Sequence, residues 1–384
     1  MKCRTSRRNA PGMRGLLLLA AGTTAACTHP PTPHGPRAGV QQERAIRLTA
    51  VGDILLGDAA QPVLDREGYD FPFRALAKEL TGSDLVFGNL EGPITESPTP
   101  LDRDKDYTYR CRPEAARALR AAHVDLVSLA NNHALDYGDA GLADTIRHLD
   151  AAGVRHYGAG ASRREALAGS EVELAGLRIG FLGFFQKYGP YGTTYPHYFA
   201  AGEAPGVSEL NEATLREAIA AMRPRVDVLI VCCHWGKNYA DVTEKQRRFG
   251  RLAADLGADL VVGHHPHVAQ GVELRHGVPI LYSLGNFTFG SPGRFEKLAP
   301  TTSRSWLAHI TVRDARIEAI DLVPLEVDNK VVRFQPRVAD PADLAAMVAK
   351  LNEPFGTMFE IAGDRARLDV RAGARPAPTA SGGK

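Results

Sequence analysis

The chain is short of cysteine and tryptophan and has no surplus of either charge. Its 384 residues hold 5 Cys and 2 Trp, and 46 basic side chains stand against 44 acidic ones. So few cysteines in so long a chain exclude a disulfide scaffold. The balanced charge argues against nucleic acid as a partner, because such binders carry a basic surplus. No apolar run reaches the roughly 20 residues that a membrane-spanning helix needs. With 44% hydrophobic and 23% charged residues the chain is neither disordered nor fibrous, and it can bury a large core.

What is present begins with a segment unlike the rest. Residues 1–27 run from a basic stretch, MKCRTSRRNAPGMRG, through a short apolar core, LLLLAAG, to small residues ending in TTAAC. That order is the order of a secretory signal. The residues before Cys27 resemble the cleavage box of bacterial lipoproteins, in which the cysteine after the cut is lipidated, although Thr24 stands where that box usually has Leu. The expectation is an exported chain, lipid-anchored outside the cytoplasmic membrane through Cys27; plain cleavage and secretion is the alternative. Without those residues the chain carries 41 basic and 44 acidic side chains. Residues 28–44 are Pro-rich and read as a tether, and residues 372–384 read as a disordered tail. Cys232 and Cys233, adjacent in a strand, read as small buried residues on opposite faces.

Five runs have the composition of buried parallel strands: IRLTAV (46–51), DLVF (84–87), DLVSLA (125–130), DVLIVCC (227–233) and DLVV (259–262). Four open with Asp. Segments such as PEAARALRAAHV and EKQRRFGRLAADLGA precede them with helical apolar spacing. Helix then buried strand, repeated, specifies an α/β domain whose site lies beyond the carboxyl ends of the strands. The stretches 172–185 and 277–290 read as further strands, and 306–327 as an antiparallel hairpin. Together these suit a second sheet packed on the first. Residues 341–353 read as a terminal helix. The aromatic, Gly-rich stretch 183–199 reads either as a substrate-facing loop or as a packed surface excursion.

Each run ends in residues of metal-ligand type. Asp53 follows the first, Asn89 and Glu91 the second, and Asn131, Asn132, His133 and Asp136 the third. His234 follows the fourth, and His264, His265 and His267 the last. Taken singly, each has a structural reading as a cap, a turn residue or a satisfied histidine. Five coincident strand ends favour one shared site. Carboxylate, imidazole and amide oxygen without thiolate suit Mn, Fe or Zn better than a structural zinc cluster.

The segments AVGDILLG, NLEGP, YTYR near Arg110, VSLANNHALDYG, CHWG, HPHVAQG and ILYSLGNFTFG resemble the CapA or PGA_cap family. These are bacterial capsule and poly-γ-glutamate synthesis proteins with the calcineurin-like metallophosphoesterase fold. EPFGT near residue 355 resembles the family's tail. The resemblance implies a four-layer α/β/β/α sandwich over residues 45–328, with a C-terminal family extension over 329–371. It implies a metal carboxylate at Asp53, a bridging carboxylate at Glu91, an amide ligand at Asn132, and imidazole ligands at His234, His265 and His267. The cofactor would be a divalent transition metal, one or two ions of Mn, Fe or Zn. Two residues apart in an extended segment, His265 and His267 would point the same way. Leu55 stands where phosphoesterases carry a histidine, so a single ion held by Glu91, Asn132, His234 and His265 is the alternative. His264 receives no ligand role.

In such a site His133 is expected as general acid or base. Asp136 would either orient it or cap a helix starting near Tyr137. Arg110 and Arg112 are expected to reach an anionic substrate, and guanidinium suits carboxylate and phosphate equally. Three functions fit. One is a hydrolase-like enzyme acting outside the membrane on an anionic polymer, peptide or phosphoester bond. The second is a non-catalytic assembly or export factor working with capsule synthesis proteins, and the third a metal-assisted epimerase of a peptide.

Overall fold

The computed structural model describes residues 45–291 and 303–371. The signal segment, the tether, the tail and with them Cys27 lie outside the described residues.

In chain order the first half comprises β1 (Ile46–Leu55), α1 (Gln61–Glu67), α2 (Ala77–Thr81), β2 (Leu85–Leu90), α3 (Glu114–Ala121), β3 (Val124–Ser128), α4 (Gly138–Ala152), β4 (Arg155–Tyr157), β5 (Ala159–Gly160), α5 (Arg163–Ala168), β6 (Ser170–Leu174) and β7 (Leu177–Phe185). Next come α6 (Pro190–Thr193), β8 (Gly206–Val207), α7 (Glu212–Met222), β9 (Val228–His234), α8 (Glu244–Asp255), β10 (Leu260–His264), β11 (Val272–Arg275), β12 (Val278–Leu281) and β13 (Asn286–Phe289). The last are β14 (Arg304–Arg313), β15 (Arg316–Glu326), α9 (Asn329–Val332), β16 (Arg337–Val338), α10 (Pro341–Asn352), β17 (Glu360–Ala362) and β18 (Arg365–Asp369).

Two sheets carry the fold. The first has the order β17-β18-β15-β14-β1-β2-β3-β4, with β13 also paired to β1 and β16 to β15. Its β1 to β4 run parallel, and the β14–β15 hairpin is antiparallel. The second has the order β11-β12-β10-β9-β7-β6, with a parallel centre and an antiparallel strand at each edge. Leu48, Phe87 and Leu126 of the first sheet meet Phe181, Ile230 and Val262 of the second in one buried cluster. Leu64, Leu119 and Leu149 of the helices cover Val51, Val86 and Val127 on the outer face of the first sheet. Leu215, Ile219 and Ala253 cover Leu229, Val231 and Val261 on the outer face of the second. The layering is α/β/β/α, as the sequence predicts.

Alternation sorts the side chains between these layers. Along β9, Ile230 and Cys232 face the other sheet, whereas Val231 and Cys233 face the helices, and both thiols are free and buried. The allocation of strands differs from the expectation. β9 and β10 belong to the second sheet, and the 304–326 hairpin extends the first. Runs buried on both faces reveal burial but not which sheet supplies the second face.

The opening aspartates have a shared role. Asp84 Oδ2 accepts from Arg47 N, Asp125 Oδ2 from Val86 N, Asp227 Oδ2 from Arg178 N and Asp259 Oδ2 from Leu229 N. Each carboxylate thus satisfies a backbone donor at the start of the neighbouring strand, fixing register at the end opposite the site. The C-terminal extension joins the same body: β18 pairs with β15, and Leu344 and Met347 of α10 enter the cluster between the sheets.

Candidate metal centre

Parallel pairing aligns the strand ends. In the first sheet Asp53 lies beside Asn89, and in the second His264 lies beside His234. Two glycines permit the close approach that brings these ends together. A Cβ on Gly52 would lie 1.9 Å from the Gly285 carbonyl oxygen, and one on Gly263 2.0 Å from that of Tyr282.

The two sheets bring Asp53, Glu91, Asn132, His234, His265 and His267 into one buried cluster. Asn89 Nδ2 donates to Asp53 Oδ1 at 2.8 Å, and the His265 backbone N–H donates to Asp53 Oδ2 at 3.2 Å. Nε2 of His234 bonds Asn132 Oδ1 at 2.7 Å. Nε2 of His234, of His133 and of His267 stand 3.6, 3.9 and 3.9 Å from Glu91 Oε1. Potential ligand atoms lie within 4.8 Å of one another in each of two sets, Glu91–His265–His267 and Asp53–Glu91–His234. The sets share Glu91.

The histidine pair converges by a different route from the one expected. His265 and His267 have φ of 94° and 59°, so the segment is a turn in left-handed backbone rather than an extended strand. Both rings still face the cluster, 5.9 Å apart. The left-handed kinks do what strand alternation was expected to do, and backbone strain of this kind gathers at functional sites. His267 Nδ1 is held by Asn286 Oδ1 at 2.9 Å. His264 turns away, its Nε2 donating to the Val51 carbonyl across the sheets at 3.2 Å.

Electrostatics favours a cation here. Burial holds Glu91 well above the usual carboxylate range, and repulsion from Asp53 and Asp136 adds to it. Burial pushes Asp53 up to about 7, against its hydrogen bonds from Asn89 and the His265 backbone. Burial holds His234 and His265 well below the ordinary imidazole value, with neighbouring imidazoles adding to it, and brings His267 down to about 4. Among the described residues, Glu91 Oε1 and Oε2 and His265 Nδ1 are buried without a hydrogen-bond partner. Buried polar atoms are rarely left so. Two free carboxylate oxygens beside neutral imidazole nitrogens form a donor set that fits a divalent metal.

Beside the cluster, His133 Nδ1 and Asp136 Oδ2 are 2.7 Å apart, and the Tyr109 ring lies 4.1 Å from that of His133. Asp136 also accepts from the Tyr109 backbone N–H at 2.7 Å and the Tyr198 hydroxyl at 3.1 Å. It does not cap α4, which begins after Tyr137 without a side-chain cap. Burial raises the Asp136 pKa, but His133 and Lys105 outweigh it and hold the group below the usual carboxylate range. Burial lowers His133. Arg110 and Arg112 are exposed and engaged elsewhere, the first with the Ser97 carbonyl and the second with Asp65. Leu55 is buried in the core under the helices. The aromatic stretch after β7 packs inward: Tyr188 lies 5.2 Å from His265, and the Tyr191 hydroxyl donates to the Asn132 carbonyl at 2.9 Å. Sequence reasoning missed Lys105, whose Nζ reaches Asp136, because the surrounding DRDKD reads as a solvated run.

Two facing sheets between helices, with carboxylates, imidazoles and an amide where strands of both sheets end, define an α/β/β/α sandwich with a candidate metal centre at its strand ends. Within that class the chain belongs to the bacterial capsule synthesis protein PGA_cap family, whose model matches residues 47–291. EPFGT lies beyond that match. The chain is 32% identical over 256 residues to the PGA biosynthesis protein CapA of Bacillus subtilis (strain 168), covering 66% of each chain. It is 30% identical over 296 residues to the capsule biosynthesis protein CapA of Bacillus anthracis, covering 75% of this chain and 69% of that one. It therefore spans about two thirds of the length of these relatives. The crystal structure of TT1561 of Thermus thermophilus overlays with a TM-score of 0.38 at 12% identity, covering 71% of this chain and all of the other.

Proposed function

We propose that this chain is a metal-dependent, hydrolase-like enzyme of capsule or poly-γ-glutamate biosynthesis, acting on an anionic polymer, peptide or phosphoester bond. The observation that carries the reading is Glu91, whose two buried, unpartnered oxygens stand among three imidazole Nε2 atoms. Asp53, Glu91, Asn132, His234, His265 and His267 would hold one or two ions of Mn, Fe or Zn. A divalent ion there supplies Lewis-acid polarisation of a carbonyl or phosphoryl oxygen. His133 exchanges the proton through Nε2, the nitrogen facing Glu91, while Asp136 holds Nδ1 and so fixes the tautomer. The surrounding aromatic rings keep bulk water from the cluster. Arg110 and Arg112 would meet an anionic substrate only at the rim, since neither is joined to the cluster in the described contacts.

The test is turnover of poly-γ-glutamate and of a phosphodiester by the full-length chain loaded with Mn, Fe or Zn. His133→Gln is expected to lower the rate by about 10²–10⁴-fold. A metal-loaded wild type that turns over neither substrate would replace the enzyme by an assembly factor. In this reading the chain works outside the cytoplasmic membrane, anchored through Cys27 and beside the capsule synthesis proteins. Cys27→Ser should shift it from the membrane to the soluble fraction of cells; equal membrane recovery would contradict the anchor.

A further inference from the structure

Lys105 stands outside the motifs that carry the family resemblance, yet its ammonium ends beside the site. The residue lies in the connection between β2 and α3, and its side chain is only 10% exposed. Nζ donates to the Asn132 carbonyl oxygen at 2.7 Å, to Asp136 Oδ1, and to the Tyr198 hydroxyl at 3.3 Å. All three donors of an ammonium are therefore used. The rings of Tyr191 and Tyr198 flank it, with centroids 5.5 and 5.2 Å from Nζ. The same two tyrosines bond the same two acceptors, Tyr191 to the Asn132 carbonyl and Tyr198 to Asp136 Oδ1.

The partners of these acceptors matter. Asn132 carries the amide that meets His234, and Asp136 carries the carboxylate that meets His133. Residues 132 and 136 bound a single turn with His133 inside it, and Lys105 holds both ends. We infer that Lys105 is a positioning residue that pins this turn, keeping the Asn132 amide oxygen beside the His234 ring and His133 Nε2 directed at Glu91. The inference rests on the reading of the cluster as a metal centre. Lys105 acts through the turn and touches no reacting atom. It also gives the aromatic stretch after β7 a task, since Tyr191 and Tyr198 enclose the ammonium and keep its contacts out of competing water. Shielded contacts of this kind around ligating side chains usually tune metal affinity.

The test compares the full-length wild type with Lys105→Met, which keeps the length and removes the charge, and with Lys105→Arg. In metal-stripped protein, the hydrogen-bonded imidazole proton of His133 is followed by NMR and assigned by its loss in His133→Gln. In parallel, Mn²⁺ affinity is measured by titration. Lys105→Met is expected to keep its circular dichroism and cooperative melting, to lose the slowly exchanging imidazole proton, and to bind Mn²⁺ about 10-fold or more weakly. Lys105→Arg is expected to recover part of both. A folded Lys105→Met with the wild-type imidazole signal and Mn²⁺ affinity within about twofold overturns the inference, as does a wild type lacking that signal. If Lys105→Met does not fold, Lys105→Arg decides by the same criteria: loss supports the inference and full retention overturns it. A wild type that shows the imidazole signal but binds no Mn²⁺ refutes the metal reading alone, because the imidazole comparison needs no metal.

Discussion

Asp53 and Glu91 are carboxyl groups whose burial outweighs the interactions that favour their charged forms, Lys105 only partly offsetting it for Glu91, so in the metal-free chain each holds its proton more tightly than an ordinary carboxyl. For Asp53 the folded value of about 7 lies above the ordinary 3.8. Between those values the folded chain holds a proton that the unfolded chain has released, so this contribution to stability is present at low pH and lost as pH rises to about 7. Burial depresses the imidazoles, whose contribution runs the other way, being lost as pH falls below their ordinary value toward about 4. Asp53→Asn leaves the imidazoles in place and isolates the carboxyl. In urea unfolding of metal-stripped protein, Asp53→Asn should gain stability relative to wild type as pH is raised from about 4 to about 8. Parallel stability curves across that range would refute the assignment. At this scale the sequence was informative about residue types and silent about partners. Asp53, Glu91 and the HxH pair could be found because they end apolar runs, whereas Lys105, in a charged loop, carries no such mark.

The strands show why the site forms where it does. Four of them carry, at or next to their start, an aspartate that bonds the backbone of a neighbour, and each leads into polar residues that meet at the opposite edge. The aspartates hold register and the far ends carry chemistry. Asp259 shows the first role most directly: Oδ2 accepts from Leu229 N at 2.7 Å and from Arg223 at 2.6 Å. Asp259→Ala should cost about 1–3 kcal/mol in chemical denaturation, by leaving the Leu229 N–H unpaired, and should leave metal content unchanged. A loss of metal without a loss of stability would contradict the division between the two ends. Strand positions were legible from their Val, Leu and Ile content, and the Asp openings and ligand-type endings from the bounding residues. The allocation of β9 and β10 to the second sheet was not, because it depends on which partner lies across the sheet. Nor was the left-handed turn at His265 and His267, since positive φ is uncommon outside glycine and nothing in the local sequence demands it there.

At the scale of the molecule, the cluster exists only because the two sheets face each other. The first sheet and its loops supply Asp53, Glu91 and Asn132, and the second supplies His234, His265 and His267. Leu48, Phe87, Phe181 and Ile230 pack between the sheets and set the distance across which these groups meet. A metal bound to the folded chain alone would stabilise the packed sheets. The most direct test is the metal content of the purified full-length chain by elemental analysis, beside Glu91→Ala and His265→Ala. The account predicts near-stoichiometric transition metal in the wild type and its loss in both variants. A wild type without metal after reconstitution with Mn, Fe or Zn would contradict it and leave the buried carboxylates without a purpose.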